Sequence, residues 1–250
     1  MKTTIKKITN WLKEYNQNSS TEGFVVGVSG GIDSAVVSTL CSLTDIPTLA
    51  VTMPINQDPT LHNRSLLQTD WLKNNFKNIK VHNVDLSDVY NSFANSVTSS
   101  QLGYANSKAR IRMTTLYALA AEKNSIVVGT GNKVEDFGVG FFTKYGDGGV
   151  DISPIADLYK SEVYNIAKEL GIDNEIIEAP PTDGLWEDGR GDQDQLGATY
   201  DELEWAMKYT PETSSNLTKR QQQILDIYNL HREKNMHKMI DIPVFQAGVE

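Results

Sequence analysis

A single cysteine, Cys41, occurs in 250 residues, so no disulfide framework can staple this chain. That scarcity suits a reducing compartment, and the expected location is cytoplasmic. Cys41 sits inside an apolar helical stretch and reads as a small buried hydrophobe. No apolar run approaches the roughly 18 residues that cross a bilayer, so no membrane partner is expected. The opening Met-Lys-Thr-Thr-Ile-Lys-Lys carries lysines without an apolar core, so no secretory signal is expected. Positive charge is short as well. Against 32 Asp and Glu stand 23 Lys and Arg, a net charge of −9 with a pI near 5.0. Proteins that grip nucleic acid normally show a basic face; none is visible, and no nucleic-acid partner is expected. Internal repeats and low-complexity tracts are missing too. What remains is ordinary globular material, 39% hydrophobic with mean hydropathy −0.37. It suffices for one large domain over 1–250.

Short apolar segments alternate with longer periodic ones. Strands are expected at Phe24–Val28, Pro47–Met53, Ile79–Val84 and Ile126–Gly129. Helices are expected at Ile5–Tyr15, Ser34–Leu43, Thr60–Asn75, Val89–Val97, Ser107–Lys123, Tyr159–Leu170, Thr199–Tyr209 and Asn216–Lys234. Buried strands separated by helices imply an α/β fold, a Rossmann-like parallel sheet with helices on both faces. In such sheets ligands bind at the carboxyl ends of strands, near a switch in strand order. Two segments are too polar and glycine-rich for a core: Thr143–Gly149 and Pro180–Gln195. The second reads as a lid, because Leu185 and Trp186 give it something to bury. The first helix and Asn216–Lys234 are amphipathic enough to pack on a neighbour.

The most telling stretch runs from Phe24 to Val36, where a β-branched strand stops at Ser29 and Gly30-Gly31-Ile32-Asp33-Ser34 follows. A strand, a glycine turn and a helix start converge there. Free backbone N–H groups and the positive end of a helix dipole make that point a phosphate cradle. It is not a Walker A loop, since no Gly-Lys-Ser/Thr follows, and Gly27, Gly30 and Gly31 do not fit the dinucleotide fingerprint. Asp33 would repel phosphates unless a divalent cation lay between. The pattern Ser-Gly-Gly-x-Asp-Ser resembles the pyrophosphatase loop of the adenine nucleotide α-hydrolase-like enzymes, which split ATP into AMP and pyrophosphate.

After the fourth strand comes Gly129-Thr-Gly-Asn-Lys-Val-Glu135, again a strand end, glycines and a carboxylate. If both loops share one crevice, Asp33 and Glu135 can hold magnesium against ATP phosphates. The run Phe141-Phe-Thr-Lys-Tyr-Gly-Asp-Gly148 then narrows the resemblance to ammonia-dependent NAD+ synthetase. Asn106–Arg112, Leu158–Val163, Pro180–Trp186 and His237-Lys238 extend it along nearly the whole chain.

That resemblance implies a ligase that amidates deamido-NAD+ with ammonia through an acyl adenylate. ATP would be its co-substrate and magnesium its cofactor, and the assembly a homodimer with the site at its interface. It places Gly27, Val28, Ser29, Gly30, Gly31, Ile32, Asp33, Ser34, Thr130, Lys160 and Thr182 on ATP. Asp33 and Glu135 would hold the metal, the Gly-Asn-Lys-x-Glu spelling favouring Glu135 over the adjacent Asp136. Arg110, Lys144, Asp151, His237 and Lys238 would bind deamido-NAD+, with Asp151 also a candidate acceptor for the proton of ammonia. Glutamine use would need a further domain with a nucleophilic cysteine, and Cys41 is in the wrong setting; free ammonia is the expected nitrogen source.

Three other readings are weaker. The synthetase half of GMP synthetase shares the first loop but not the Phe-Phe-Thr-Lys-Tyr-Gly-Asp run. A tRNA thiolation enzyme would show basic charge and catalytic cysteines. A nucleotide sensor with a dead site would not retain Asp33, Glu135 and Lys160 together. His62, His82 and His231 are expected to be structural, and Trp11, Trp71 and Trp205 to be packing residues.

Overall fold

β1 (Gly23–Gly27), β2 (Thr48–Thr52), β3 (Ile79–Asn83) and β4 (Ser125–Val128) form one parallel sheet in the order β3-β2-β1-β4. The computed structural model describes residues 1–182, 184–186, 191–211 and 216–248. Alternation along each strand sorts the core into two faces. Phe24, Val26, Ile126 and Val128 pack beneath α1 (Lys2–Asn18), α2 (Ile32–Ser42) and α6 (Lys160–Leu170). Val25, Leu49, Val51 and Val127 pack against α5 (Gln101–Glu122), which follows α4 (Ser87–Ser96). α3 (Pro59–Asn75) covers Val28 and Ala50 through Leu72. The expected architecture, parallel with helices on both faces, is the one observed.

α2 is buried along its whole length from Ser34 to Ser42. Its hydroxyls therefore bond back into the helix: Thr39 Oγ1 donates to the Ala35 carbonyl at 2.7 Å and Ser42 Oγ to the Ser38 carbonyl at 2.7 Å. Gln68 of α3 reaches across to the Ala35 carbonyl, fixing α3 against α2. Cys41 is fully buried, and burial pushes its thiol far above the ordinary range.

A smaller apolar cluster stands beyond the carboxyl ends of the strands. A seven-residue π-helix (Lys133–Val139) joins α8 (Asp192–Leu196), α9 (Tyr200–Lys208) and α10 (Lys219–Met239) there, around Val134, Val139, Leu203 and Ile224. A short α7 (Asn174–Ile177) closes the chain back onto α2 and α6.

Element bounds differ from expectation in places. α5 begins at Gln101 rather than Ser107, because Ser100 caps the Gly103 amide at 3.1 Å. α10 starts after its cap Thr218 and runs on to Met239, carrying His237 and Lys238 in its last turn. No helix among the described residues is long and apolar enough to cross a membrane. Trp71 and Trp205 pack as expected. Trp11 instead stays 41% exposed on α1, against Tyr15.

Candidate active site

Strand order reverses between β1 and β4, since β1 pairs with β2 on one edge and β4 on the other. A crevice opens at such a switch, above the carboxyl ends. Val26 lies level with Val128, so the loops after Gly27 and Val128 leave the sheet side by side. That register brings Asp33 and Glu135 together from positions far apart in sequence.

The first loop is braced by its own side chains. Ser29 N–H donates to Ser34 Oγ at 3.1 Å, Ser34 Oγ donates to the Gly31 carbonyl at 2.9 Å, and Gly31 N–H donates to Ser29 Oγ at 3.3 Å. The serines expected to face phosphates therefore shape the turn that presents the loop. Gly30 sits at φ +90°, and a Cβ there would lie 2.7 Å from the Leu61 carbonyl oxygen and 2.9 Å from the Ser65 amide nitrogen. Gly30→Ala is expected to destabilise the fold by about 1–3 kcal/mol, combining left-handed strain with that backbone clash. A thermal melt checks it; an unchanged melting temperature would mean α3 yields easily.

Lys160 is the hub of the crevice. The first residue of α6, it is only 3% exposed. Its Nζ donates to Asp33 Oδ2 at 2.6 Å and to Glu135 Oε1 at 2.9 Å. Asn132 completes the frame. Its Nδ2 donates to Asp33 Oδ1 at 3.1 Å, while its Oδ1 caps the Val134 and Glu135 amides. Tyr200 Oη donates to Glu135 Oε1 at 2.5 Å, and its ring lies 4.8 Å from Lys160 Nζ. Glu204 fixes the start of α6 by accepting from Ser161 N and Oγ.

Electrostatics follow from that geometry. Burial opposes the Lys160 charge, but Asp33 and Glu135 outweigh it, so the ammonium is held above its ordinary value. Burial raises Asp33 above its ordinary value, against the pull of Lys160. Burial pushes Glu135 the same way, yet Lys160 and the Tyr200 hydroxyl more than reverse it. Two carboxylates thus converge on one cation, each keeping some solvent access, 17% at Asp33 and 16% at Glu135. These are hard oxygen donors of the kind that suits magnesium.

A second group of expected residues gathers where α5, the 143–149 loop and the end of α10 meet. Arg110 Nε donates to the Lys144 carbonyl at 3.2 Å, and Lys144 Nζ to the His237 carbonyl at 2.8 Å. Lys238 Nζ donates to the Phe142 carbonyl at 2.7 Å. Beside them Met113, Thr114, Tyr117, Tyr145 and Gly149 line an open cavity of about 540 Å³. Asp151 adjoins Tyr117, accepting from its hydroxyl at 2.8 Å and from the Val127 amide at 2.8 Å. Each of its oxygens accepts one of these bonds. Its bonds lead to α5 and β4 rather than to Lys160.

Asp136 stood only as the alternative to Glu135, and Asp147 received no role from the sequence. Both are pushed upward, by burial first and, at Asp136, by Asp147 next. Asp147 accepts from the Thr143 amide at 3.1 Å. Asp136 lies so close to Gly131 that a Cβ there would meet its Oδ2. Tyr200 and Asn132 were also missed; only Asn132, inside Gly-Thr-Gly-Asn-Lys, stood in a motif that could have flagged it.

Thr130 opens the loop after β4, as expected. Thr182 Oγ1 accepts from the Gly184 amide at 3.2 Å. The 184–186 stretch reaches from Leu61 on α3 to Lys108, whose Nζ donates to the Leu185 carbonyl at 3.2 Å. Of the expected lid, residues 183 and 187–190 lie outside the described residues. His231 is structural, its Nε2 meeting the Leu196 carbonyl at 3.2 Å.

A parallel sheet, a Ser-Gly-Gly cradle at its switch point and two carboxylates behind it define a nucleotide-binding α/β protein. Residues 4–241 match the family model described as NAD synthase, and the chain belongs to that family. It is 37% identical over 240 residues to an NH3-dependent NAD+ synthetase of Carboxydothermus hydrogenoformans, covering 93% of each chain. Among solved structures it is similar to an NMN synthetase from Francisella tularensis, with TM-score 0.87, 32% identity and 98% of both chains covered. It is also similar to an NH3-dependent NAD synthetase from Campylobacter jejuni, with TM-score 0.80, 26% identity and coverage of 98% and 99%.

Proposed function

We propose that this chain amidates the nicotinate carboxylate of deamido-NAD+ with ammonia, converting ATP to AMP and pyrophosphate, the last step of NAD+ formation. One observation carries the site: Asp33, Glu135 and Lys160 meet within hydrogen-bonding distance behind the Ser-Gly-Gly cradle. Family membership supplies the reaction. A carboxylate is inert to ammonia because its leaving group would be oxide. Attack of a carboxylate oxygen on the α-phosphorus of ATP forms an acyl adenylate and releases pyrophosphate. Ammonia then adds to the carbonyl carbon, the C–O bond to AMP breaks, and one proton is lost.

In this reading the Gly27–Ser34 loop, Thr130, Lys160 and Thr182 bind ATP. Arg110, Lys144, Asp151, His237 and Lys238 bind the dinucleotide along the cavity beside Tyr117. Asp33 and Glu135 fit magnesium, whose positive charge would offset that of the phosphates. No side-chain nucleophile is required, because positioning and charge stabilisation carry such chemistry. We read the working form as a cytoplasmic homodimer. Exposed Tyr117 and Tyr145, which line the cavity, support a covered face there.

The test is purified protein with ATP, magnesium, ammonium and one of three acceptors: deamido-NAD+, nicotinate mononucleotide or XMP. AMP and NAD+ should appear in equal amounts with deamido-NAD+, and only when ammonium is present. The likeness to an NMN synthetase favours a second reading, in which the smaller mononucleotide is the better acceptor. Faster AMP release with it would move the assignment there. Turnover with XMP alone, or none at all, would overturn both.

A further inference from the structure

Burying Lys160 between two carboxylates leaves the crevice short of positive charge. Asp33, Glu135 and Lys160 together carry a net negative charge, and the ammonium expected to meet phosphates is already engaged twice. A triphosphate adds several more negative charges. Magnesium on the two carboxylates would offset only part of them.

Arg64, on α3, stands at the cradle itself. Its Cβ lies 3.1 Å from the point a Cβ on Gly30 would occupy, beside the Leu61 carbonyl and the Ser65 amide. Helical side chains lean toward the helix N-terminus. From Arg64 that direction is Leu61, where Gly184 of the ATP-side loop also arrives. Its Nε is buried and has no hydrogen-bond partner among the described residues. Asp58 is within electrostatic reach, but its Oδ1 is engaged as the cap of α3, accepting from the Thr60 amide at 2.8 Å. A buried guanidinium N–H left unpaired is costly, and guanidinium geometry matches phosphate oxygens in a fork.

We propose that Arg64 is a phosphate-binding residue, its guanidinium taking the β- and γ-phosphoryl oxygens of ATP and then holding the departing pyrophosphate. This rests on the ATP reading above. It adds a second cation to a site where Lys160 is already shared between two carboxylates.

Calorimetry on the full chain with magnesium pyrophosphate tests it, using wild type, Arg64→Met and Arg64→Gln. Both variants should bind pyrophosphate about ten- to a hundredfold more weakly, the scale of a charged hydrogen bond. AMP affinity and melting temperature should stay near wild type. Wild-type pyrophosphate affinity in either variant overturns the proposal. So does a loss that appears only together with a lowered melting temperature and weakened AMP binding, which would assign Arg64 to packing. If wild type itself binds neither ATP nor pyrophosphate, the ATP reading fails instead.

Discussion

Lys160→Met is expected to lower both turnover and stability. Lys160 is the shared partner of Asp33 and Glu135, and methionine fills its volume without its charge. Stranding one buried charge by deleting its partner costs about 3–5 kcal/mol. Here the effect should fall near the lower end, because both carboxylates keep some access to water. At about 3 kcal/mol the melting temperature falls by roughly 6–12 °C for a chain of this size. Turnover should drop by about two to three orders of magnitude, the scale set by removing one preorganised charge stabiliser. Millimolar magnesium should restore part of the melting temperature, since it can enter between the same two carboxylates. A calorimetric scan with and without magnesium checks this, and no recovery would argue against the metal assignment.

Asp33→Asn should separate function from folding. The amide keeps the shape and can still meet Lys160 through its carbonyl oxygen. Asn132 Nδ2, at 3.1 Å from Asp33 Oδ1, would face an amide in place of a carboxylate. With its oxygen on Lys160, the new amide turns its NH2 toward the Asn132 donor, so the stability cost should be about 1–3 kcal/mol, that of one unpaired polar group. One of the two charges that converge on a cation would nevertheless be gone. NAD+ formation should fall by about a hundred- to a thousandfold, the scale of removing one preorganised charge stabiliser, with a near-native circular dichroism spectrum. Activity within a few-fold of wild type would remove Asp33 from the proposed metal site.

Much of the scaffold was legible because its signals are local. β-branched runs at Phe24–Val28 and Ile126–Gly129 read as buried strands, and their parallel pairing follows from the helices between them. Glycines and carboxylates at the two strand ends pointed to one crevice, and register delivers Asp33 and Glu135 to it. What was not legible depends on tertiary contact. The π-helix at Lys133–Val139 lies in a glycine-rich stretch without a clear period, and only the Asn132 cap announces it. Tyr200 looks like any helix-start aromatic until α9 packs against the π-helix and turns its hydroxyl onto Glu135. Lys160 could be expected at phosphates, but the sequence could not show that two carboxylates engage it first. Arg64 was hidden for the same reason: only the packing of α3 on Gly30 places it at the cradle.

The account stands on the claim that this crevice activates a carboxylate by joining it to the α-phosphorus of ATP. Deamido-NAD+ carrying a heavy oxygen isotope in its nicotinate carboxylate tests that directly, with AMP and pyrophosphate analysed by mass spectrometry after turnover. The predicted result is one heavy oxygen in AMP and none in pyrophosphate. Label in pyrophosphate or in inorganic phosphate, or unlabelled AMP formed alongside NAD+, would contradict it.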